Sequence, residues 1–389
     1  MKSHTNLLLS IAVIQLIFTF IYANSVYKPF PSFLTLFIYL GSTFFFIFLF
    51  NKSFKKFTKK NELRNIFIKN LNLFSWLVIG ICFLQLVNIR ETISDLLVQI
   101  AIGMTTLNEV YQDSRSLSSN NTGLNVVSVL SNSVRHIIAL LIFLHLKYKK
   151  GKIDKFTRLL LLSSVILLVQ SFSKGHRTLI ISSTFQYLFF LVIIFNDKDF
   201  LTSTKRKIVG FSIGIFMLFF MGFLAITISR FSTSYSTYDP MESIYVYQGQ
   251  GVVNLDKIIT SDDQYHKHRN MNRFFPLGKI VLGFRGPTNY DSRMKAYYDL
   301  PSKESEFSTW IGDISLDFNR YLLPFVIILL GGVLYLFARM STLNALVVSY
   351  IFWIILTEGM YLFPFADVAG NLRLIFLLIL PFVLNLKLN

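Results

Sequence analysis

The sequence FLTLFIYLGSTFFFIFLF at 33–50, followed directly by NKSFKKFTKKNELRNIFIKN at 51–70, decides the fold. The first part is an apolar run long enough for a helix to cross the hydrocarbon core of a bilayer. The second part carries many basic residues close to the end of that run: Lys52, Lys55, Lys56, Lys59, Lys60, Arg64 and Lys69. Short basic segments beside a span stay on the cytoplasmic side. The apolar run and the basic segment after it therefore predict a transmembrane helix whose C-terminal end faces the cytoplasm.

Apolar runs of similar length recur along the chain. We predict about ten spans, at 7–22, 33–50, 71–88, 126–146, 159–172, 178–195, 208–229, 321–337, 343–361 and 372–386. The basic segments after the second, fourth and sixth spans agree on one orientation, with both termini in the cytoplasm. The pattern predicts an all-α multi-pass integral membrane protein that forms one membrane domain over 1–389. One large loop, at 230–320 between spans seven and eight, lies on the opposite side of the membrane.

The composition points the same way. Of the 389 residues, 53% are hydrophobic, and 41 Phe side chains cannot all enter one globular core. The net charge of +17 would suggest nucleic acid in a soluble protein. Here much of the charge lies in short segments between spans, where it sets topology and meets anionic lipid, so we expect no nucleic-acid partner. A single cysteine, Cys82, rules out an intrachain disulfide.

Charged residues within spans or at their outer ends are the first candidates for function, because charge is costly in a bilayer. They are Arg135 in the fourth span and Arg177, Arg230, Glu358 and Arg373 at outer span ends. We expect the last four to lie at one depth, with Arg135 deeper. A guanidinium matches phosphate oxygens with a planar, always charged fork, which suits a pyrophosphate on a lipid carrier. The alternative is that these arginines reach lipid headgroups or pair with helix ends.

The large loop offers further candidates. Tyr245 and Tyr247 present aromatic faces and hydroxyls that suit sugar rings, although tyrosines also populate membrane interfaces. The run FFPLGKIVLGF at 274–284 is too short to span and predicts a membrane-lying or re-entrant helix. Asp313 and Asp317 are four residues apart and would share a face of a helix. One of them could act as general base toward a sugar acceptor, or they could be solvated or pair with Arg320.

Metal and nucleotide chemistry have little support in the sequence. His266 and His268 form an HxH pair near Asp262 and Asp263, but HxH without further spaced ligands is a weak metal signal. The chain contains no Walker pattern, which argues against a nucleotide-driven pump. We therefore predict no metal site and no cofactor.

Taken together, these motifs resemble the O-antigen polymerases, the oligosaccharide repeat-unit polymerases of bacterial surface-polysaccharide systems. The resemblance covers nearly the whole chain as an arrangement of spans, basic segments and one late loop. Four stretches carry it: HRTLI with Arg177, SR with Arg230, YVYQGQGVVNLD with Tyr247 and Gly251, and STWIGDISLDFNRY with Thr309, Asp317 and Phe318. The chain departs from the family pattern at Asn319, where the family often has glycine.

The resemblance implies a fold similar to the GT-C glycosyltransferases and a location in the bacterial inner membrane, with the large loop in the periplasm. It implies a glycosyltransferase that joins a growing glycan on undecaprenyl pyrophosphate to the next carrier-linked repeat unit, without metal or nucleotide. Arg177, Arg230 and Asp317 would be catalytic; Arg135, Arg373, Asp313, Tyr245 and Tyr247 would bind substrate. The expected partners are undecaprenyl-pyrophosphate-linked glycans, membrane lipids and a chain-length regulator protein.

Two other functions fit much of the same sequence. An O-antigen ligase shares the topology, the large loop and the arginines. A transporter or flippase of lipid-linked sugars would explain Arg135 and Glu358 near the bilayer, but the chain has no internal repeat of the inverted-transporter kind. A purely structural membrane scaffold would need no convergent arginines on one face.

Overall fold

The computed structural model describes residues 2–25, 29–59, 70–102, 122–149, 151–173, 177–197, 200, 205–206, 208, 210, 214, 217, 221, 240–260, 274–283, 309–315, 317–318, 320–359 and 368–385. At helix positions 2, 87–102, 122–125, 128, 171–173, 177–180, 240–248, 276, 279–280, 313 and 368–369, it describes the backbone alone. Within these ranges, every regular element is an α-helix.

The helices follow one another along the chain as α1 (Lys2–Ser25), α2 (Phe33–Lys59), α3 (Leu71–Ile102), α4 (Thr122–Tyr148), α5 (Lys155–Ser173), α6 (Arg177–Asn196), α7 (Pro240–Thr260), α8 (Pro276–Val281), α9 (Thr309–Ser315), α10 (Leu323–Ala338), α11 (Thr342–Glu358) and α12 (Val368–Asn385). Nine of the ten predicted spans coincide with one of these helices. The seventh, at 208–229, lies outside the described residues apart from single helical positions.

Three of the described helical stretches are long and apolar enough to cross a membrane: Ser3–Ser25, Phe33–Thr58 and Val129–Tyr148. Shorter apolar stretches lie at Leu71–Leu86, Ile181–Asn196, Leu323–Ala338, Thr342–Glu358 and Gly370–Asn385. The chain is thus a helical, membrane-embedded protein, while the count of ten spans and the orientation of the termini stay predictions.

The chain divides into two compact units. Unit 1 comprises 1–62 and 241–374, and unit 2 comprises 63–240 and 375–389. The expectation of one membrane domain with a loop at 230–320 stays a prediction.

Helix α11 forms the centre of unit 1, where it packs against α1, α2 and α10. All of its residues are buried. A helix that is apolar all round is stable only when it is enclosed on every side. Aromatic rings fill the space around it: Trp353 lies 5.8 Å from the His4 ring, and Phe352 lies 5.2 Å from Phe46. The hydroxyl of Ser341 caps the helix start by accepting the Asn344 N–H at 3.0 Å.

Helix α10 has one buried and one exposed face. Its buried residues recur at helical spacing: Leu323, Ile327, Gly331, Leu334 and Ala338. The opposite face exposes large apolar side chains: Phe325, Ile328, Leu329, Val333 and Leu336. A soluble protein rarely exposes so continuous an apolar face, whereas a lipid-facing helix requires one.

Glycine allows α10 to approach α2 closely. A Cβ at Gly331 would lie 2.7 Å from a Leu49 methyl carbon and 2.8 Å from the Phe45 ring, whereas one at Gly332 would meet nothing within 4 Å. The adjacent glycines thus face packed side chains and open space, respectively.

Unit 2 is built around α4. This helix packs against α3, α5 and α6, and α5 also packs against α3 and α6. Nearly all side chains of α4 between Val134 and Leu146 are buried. The rings of Phe143 and Phe190 stack at 5.1 Å and join α4 to α6.

The segment at 230–320 contains more packed structure than its polar composition suggests. In α7, the residues Val252, Val253, Leu255, Ile258 and Ile259 are all buried. The predicted helix in 274–284 is the short α8, and Val281 and Leu282 at its end are 78% and 74% exposed. Such exposed apolar residues suit a helix end that touches lipid.

The adjacent glycines of α10 give a matched test of this packing. We expect Gly331→Ala to lower the thermal unfolding midpoint in detergent, because the new methyl group overlaps Leu49 and Phe45. We expect Gly332→Ala to leave the midpoint unchanged or raise it, because alanine favours a helix by about 0.5–1 kcal/mol over glycine. Equal midpoints for the two variants would show that α10 does not pack on α2 through Gly331.

Candidate functional site

A ring of contacts in unit 1 joins the large-loop helices α8 and α9 to the ends of α11 and α12. It runs from Trp310, whose N–H donates to Gly359 O at 2.8 Å, to the adjoining Glu358 and its partner Arg373. It continues through Asn371, which binds Leu277 N–H at 2.9 Å. It closes at Asp317, which accepts the Phe274 N–H at 2.6 Å and donates its own N–H to Ile314 O of α9 at 3.2 Å. We call this arrangement the polar ring.

The most buried charges of the polar ring are Glu358 and Arg373. Their side chains are 1% and 9% exposed, and Nη1 of Arg373 donates to Oε2 of Glu358 at 3.3 Å. A charge removed from water in this way needs a partner, and the guanidinium supplies one. Glu358 ends the central helix α11, and Arg373 lies in the second turn of α12, so the pair ties these two helices together.

One nitrogen of the Arg373 guanidinium finds no partner in the part of the chain that the structure describes. Its Nε is buried and has no hydrogen-bond partner among the described residues. Buried donors in native proteins nearly always have a partner, so an open one points to a ligand or an ordered water. Arg373 also lies near the N-terminal end of α12, where the helix dipole favours negative charge. The open edge therefore suits an oxyanion.

A second unusual group is Thr309, which directly precedes Trp310 of the polar ring. It begins α9 with φ = 65°, a conformation that β-branched residues rarely adopt. Thr309 is 3% exposed, and its hydroxyl has no hydrogen-bond partner among the described residues. The next residue, Trp310, is fixed by its bond to Gly359 and by stacking on Phe46 at 4.6 Å. Strained backbone held by such surroundings is typical of functional sites.

Asp317 and Asn371 hold the segment around α8 from its two sides. Asp317 accepts the N–H of Phe274, and Asn371, which is fully buried, accepts the N–H of Leu277. The rings of Phe274 and Phe318 meet edge to face at 5.8 Å. These contacts keep the Asp317 carboxylate and the start of α12 near the same short helix.

Helix α7 is anchored by one carboxylate. Oδ1 of Asp256 accepts three hydrogen bonds, from Ser32 N–H at 2.8 Å, Ser32 Oγ at 2.6 Å and Thr35 Oγ1 at 2.7 Å. Ser32 immediately precedes α2, so the carboxylate lies at the positive end of that helix. A Cβ at Gly249 would lie 2.3 Å from Phe18 O, so glycine lets α7 touch α1. The YVYQGQGVVNLD stretch is thus a docking helix in unit 1.

The structure brings some of the predicted site residues together and leaves others outside its description. Arg373 and Asp317 belong to the polar ring. Tyr245, Tyr247 and Asp313 lie in α7 and α9 with backbone alone described, and the same holds for Arg177 at the first position of α6. Arg230, His266 and His268 lie outside the described residues, and Arg135 is buried in unit 2. Within the described ranges, no group of three or more His, Cys, Asp or Glu could hold a metal ion.

The expectation that Asp313 and Asp317 share a helix face stays a prediction, because the backbone alone is described at Asp313. Helix α9 ends at Ser315, and the N–H groups of Asp317 and Phe318 both donate to Ile314 O in the closing turn. Arg320, the other partner considered for them, donates to Ile259 O at 3.5 Å and lies over the Tyr321 ring.

Sequence reasoning missed Asn371 and Asp256, and it quoted Thr309 without assigning it a role. A polar residue two positions before Arg373 at the start of an apolar run was a usable signal for Asn371. Asp256 carried no comparable signal, because its partners Ser32 and Thr35 lie more than 200 positions away in sequence.

Unit 2 contains a polar cluster that resembles a catalytic triad in its distances. Nε2 of His145 lies 2.9 Å from Ser75 Oγ, and Nδ1 lies 3.3 Å from Asp154 Oδ2. Ser75 is fully buried, and its hydroxyl also donates to Leu71 O at 2.8 Å. A nucleophile needs access to a substrate, so we interpret the cluster as a structural bridge between α3, α4 and the start of α5.

Asp154 serves both the bridge and α5. It lies directly before the helix and accepts the Thr157 N–H and the Thr157 hydroxyl, each at 2.7 Å, as an N-cap residue does. Burial acts to raise the pKa of this carboxyl. The hydrogen bonds from Thr157 and the neighbouring His145 outweigh burial and hold the pKa below its ordinary value.

The Glu358–Arg373 pair predicts a large stability effect. We expect Glu358→Gln to lower the free energy of unfolding by about 3–5 kcal/mol, because it leaves a buried guanidinium without its counter-charge. The double variant Glu358→Gln/Arg373→Gln should lose less than the sum of the single variants, as a double-mutant cycle in detergent would measure. Asp197→Asn, which breaks the less buried Lys147–Asp197 pair, is the control and should cost less than Glu358→Gln. Additive losses in the cycle would contradict the pairing.

The lowered pKa of Asp154 predicts a pH dependence. A carboxylate with a lowered pKa in the folded state stabilises that state above its unfolded pKa of about 4. This stability is lost as the pH falls through the folded value. We therefore expect the thermal midpoint of the wild type to fall more between pH ~6 and ~3 than that of Asp154→Asn. Parallel pH profiles for the two proteins would show that Asp154 is not stabilised by its contacts.

Comparison of the chain with models of known protein families, with curated proteins and with solved structures finds no match. The functional assignment therefore depends on the residues of the polar ring and on the motifs in the sequence.

Proposed function

We propose that this protein polymerises lipid-linked oligosaccharide repeat units into a surface polysaccharide, on the periplasmic face of a bacterial inner membrane. The substrate is a glycan on undecaprenyl pyrophosphate, and the catalyst is a glycosyltransferase that uses neither metal nor nucleotide. The observation that supports this most is the open Nε edge of Arg373 in the polar ring, beside the start of α12. A lipid pyrophosphate is the oxyanion that such a membrane-embedded site would meet.

In this proposal, Arg373 binds the donor. Its Nη1 is held by Glu358 at 3.3 Å, and that contact fixes the plane of the guanidinium. The Nε edge then donates to a phosphate oxygen, and the dipole of α12 adds to the attraction. The hydroxyl of Thr309, next to Trp310 of the polar ring, is a further donor.

The acceptor is activated by a carboxylate. A hydroxyl of the acceptor sugar attacks the anomeric carbon of the donor, while the bond from that carbon to the pyrophosphate oxygen breaks. The proton of the hydroxyl passes to Asp317, and the bonding electrons leave with the pyrophosphate. The Phe274 N–H holds Oδ2 of Asp317 at 2.6 Å and orients this base.

The remaining roles come from the resemblance to O-antigen polymerases. Arg177 and Arg230 stabilise the leaving pyrophosphate electrostatically. Tyr245 and Tyr247 of α7 and Asp313 of α9 bind sugars, and Arg135 is a second arginine for substrate. A chain-length regulator and the surrounding lipids are the partners.

A gel of surface polysaccharide tests the proposal most directly. We expect deletion of the gene to abolish the polymer ladder while a band of core plus one repeat unit remains, and the intact gene on a plasmid to restore the ladder. Loss of every band above core would instead indicate a ligase or a flippase. An unchanged ladder would contradict a role in polymerisation altogether.

Variants returned to the deletion strain test the residues. We expect Arg373→Gln and Asp317→Asn to reduce polymer by about tenfold or more, because each removes a contact to the reacting groups. Arg339→Gln, at an exposed position just after α10, should restore a normal ladder with the same change of charge. Equal membrane levels of all variants must be shown by immunoblot. Normal ladders from both Arg373→Gln and Asp317→Asn would show that the polar ring takes no part in the reaction.

Arg177 and Arg230, whose roles come from the resemblance to O-antigen polymerases, need variants of their own. We expect Arg177→Ala and Arg230→Ala each to lose most of the polymer, since each would remove positive charge from the leaving group. If both variants give normal ladders, the pyrophosphate role of these two arginines is wrong.

A further inference from the structure

The end of α8 is held close to the polar ring. The N–H of Leu277 is bound to Asn371, which precedes Arg373 by two residues in α12. The N–H of Leu282 donates to Gly278 O at 3.0 Å, so the helical turn continues to Leu282. At a rise of about 1.5 Å per residue, Leu282 then lies about 8 Å along the helix from Leu277. A short and fixed connection therefore joins this end of α8 to the proposed pyrophosphate site.

Large apolar side chains border the polar ring on two segments. Val281, Leu282 and Tyr321 are among the four most exposed large apolar residues in the described part of the chain. The two segments that carry them start from one place, because the rings of Phe274 and Phe318 meet at 5.8 Å. Tyr321 follows Phe318 by three residues, a reach of at most about 11 Å. Exposed apolar surface therefore lies beside the groups proposed to bind the donor.

The contact between Arg320 and Tyr321 is typical of the boundary between membrane and water. The guanidinium of Arg320 lies over the Tyr321 ring, 5.2 Å from its centroid, and Nη2 is 3.3 Å from the Tyr321 hydroxyl. At this boundary, tyrosine and arginine direct their apolar parts toward lipid and their polar ends toward water. The pyrophosphate of a lipid carrier lies at the same depth. Its head can therefore meet the polar ring while its chain meets the exposed apolar side chains.

The position of the pyrophosphate decides where the lipid chain begins. Since the isoprenoid chain is bonded directly to the pyrophosphate, its first units lie beside Arg373 when the donor is bound there. Val281 and Leu282 offer these units an apolar surface, and each part of that surface that is covered adds to affinity. The hydrogen bonds of Asn371 and Asp317 hold the segment around α8 in advance, so little ordering opposes the contact.

We propose that the end of α8, at Val281 and Leu282, binds the isoprenoid chain of the lipid carrier and selects a polyisoprenyl pyrophosphate over free pyrophosphate. Tyr321 at the start of α10 is the second side of this contact. The inference rests on the proposed function, because it takes the pyrophosphate of the donor to lie at Arg373. It adds the residues that recognise the lipid part of the donor.

Binding of two probes to the purified full-length protein in detergent, measured by calorimetric titration, tests the proposal. Undecaprenyl pyrophosphate carries the chain and inorganic pyrophosphate does not, and neither requires the sugar to be known. We expect Val281→Ala/Leu282→Ala to weaken binding of undecaprenyl pyrophosphate about tenfold through loss of apolar contact area, and to leave inorganic pyrophosphate unchanged. We expect Arg373→Gln to weaken the binding of both probes.

The exposed face of α10 provides a matched control. Leu329→Ala/Val333→Ala removes the same two kinds of side chain from exposed positions, and it should bind both probes like the wild type. If Val281→Ala/Leu282→Ala does not fold, Leu282→Ala alone decides, with an expected loss of about threefold.

The outcomes separate this inference from the proposed function. Unchanged binding of undecaprenyl pyrophosphate by the α8 variants, or an equal loss in the control variant, would overturn the role of α8 and leave the pyrophosphate role of Arg373 intact. A wild type that binds neither probe would overturn the proposed function, and this inference with it.

Discussion

The buried ion pair of Glu358 and Arg373 is the constraint on which unit 1 depends. Helix α11 is enclosed on every side by apolar and aromatic groups, yet its last residue is a carboxylate that is 1% exposed. Such a carboxylate can stay charged only beside a cation, and Arg373 of α12 provides it. The pair therefore fixes the start of α12 against the end of α11. The contacts of Asn371 and Trp310 then attach the loop helices α8 and α9 to that same point.

A second carboxylate, Asp256, holds the loop helix α7 in unit 1. Asp256 holds α7 at the N-terminus of α2 through Ser32 and Thr35. Gly251 lets α7 pass close to Thr309, because a Cβ there would lie 3.2 Å from the Thr309 methyl carbon. Thr309 can keep its strained φ because the helices on both sides of it are fixed in this way. Polar anchors thus position the loop helices, while apolar packing holds the helices that cross unit 1.

The sequence predicts the apolar helices better than it predicts the site. Length and hydropathy predict a helix correctly at nine of the ten proposed spans, because apolar runs have few alternatives to a buried or lipid-facing helix. The two residues of the buried pair, Glu358 and Arg373, lie where the sequence predicts outer span ends. The burial of α7 was not predictable from its polar composition, since burial depends on partners distant in sequence. The end of α9 at Ser315 was not predictable, since no glycine or proline at 316 marks it.

The pairing of Arg373 with Glu358 has a consequence for the proposed reaction. An arginine free to turn would follow the pyrophosphate and hold it with similar strength before and during the reaction, which adds little to the rate of the chemical step. Glu358 lowers the net charge of the site and fixes the guanidinium plane. Attraction then depends on how much negative charge the leaving oxygens carry and on their alignment with the Nε edge. Both increase as the glycosidic bond breaks, so an oriented arginine favours the transition state over the bound substrate.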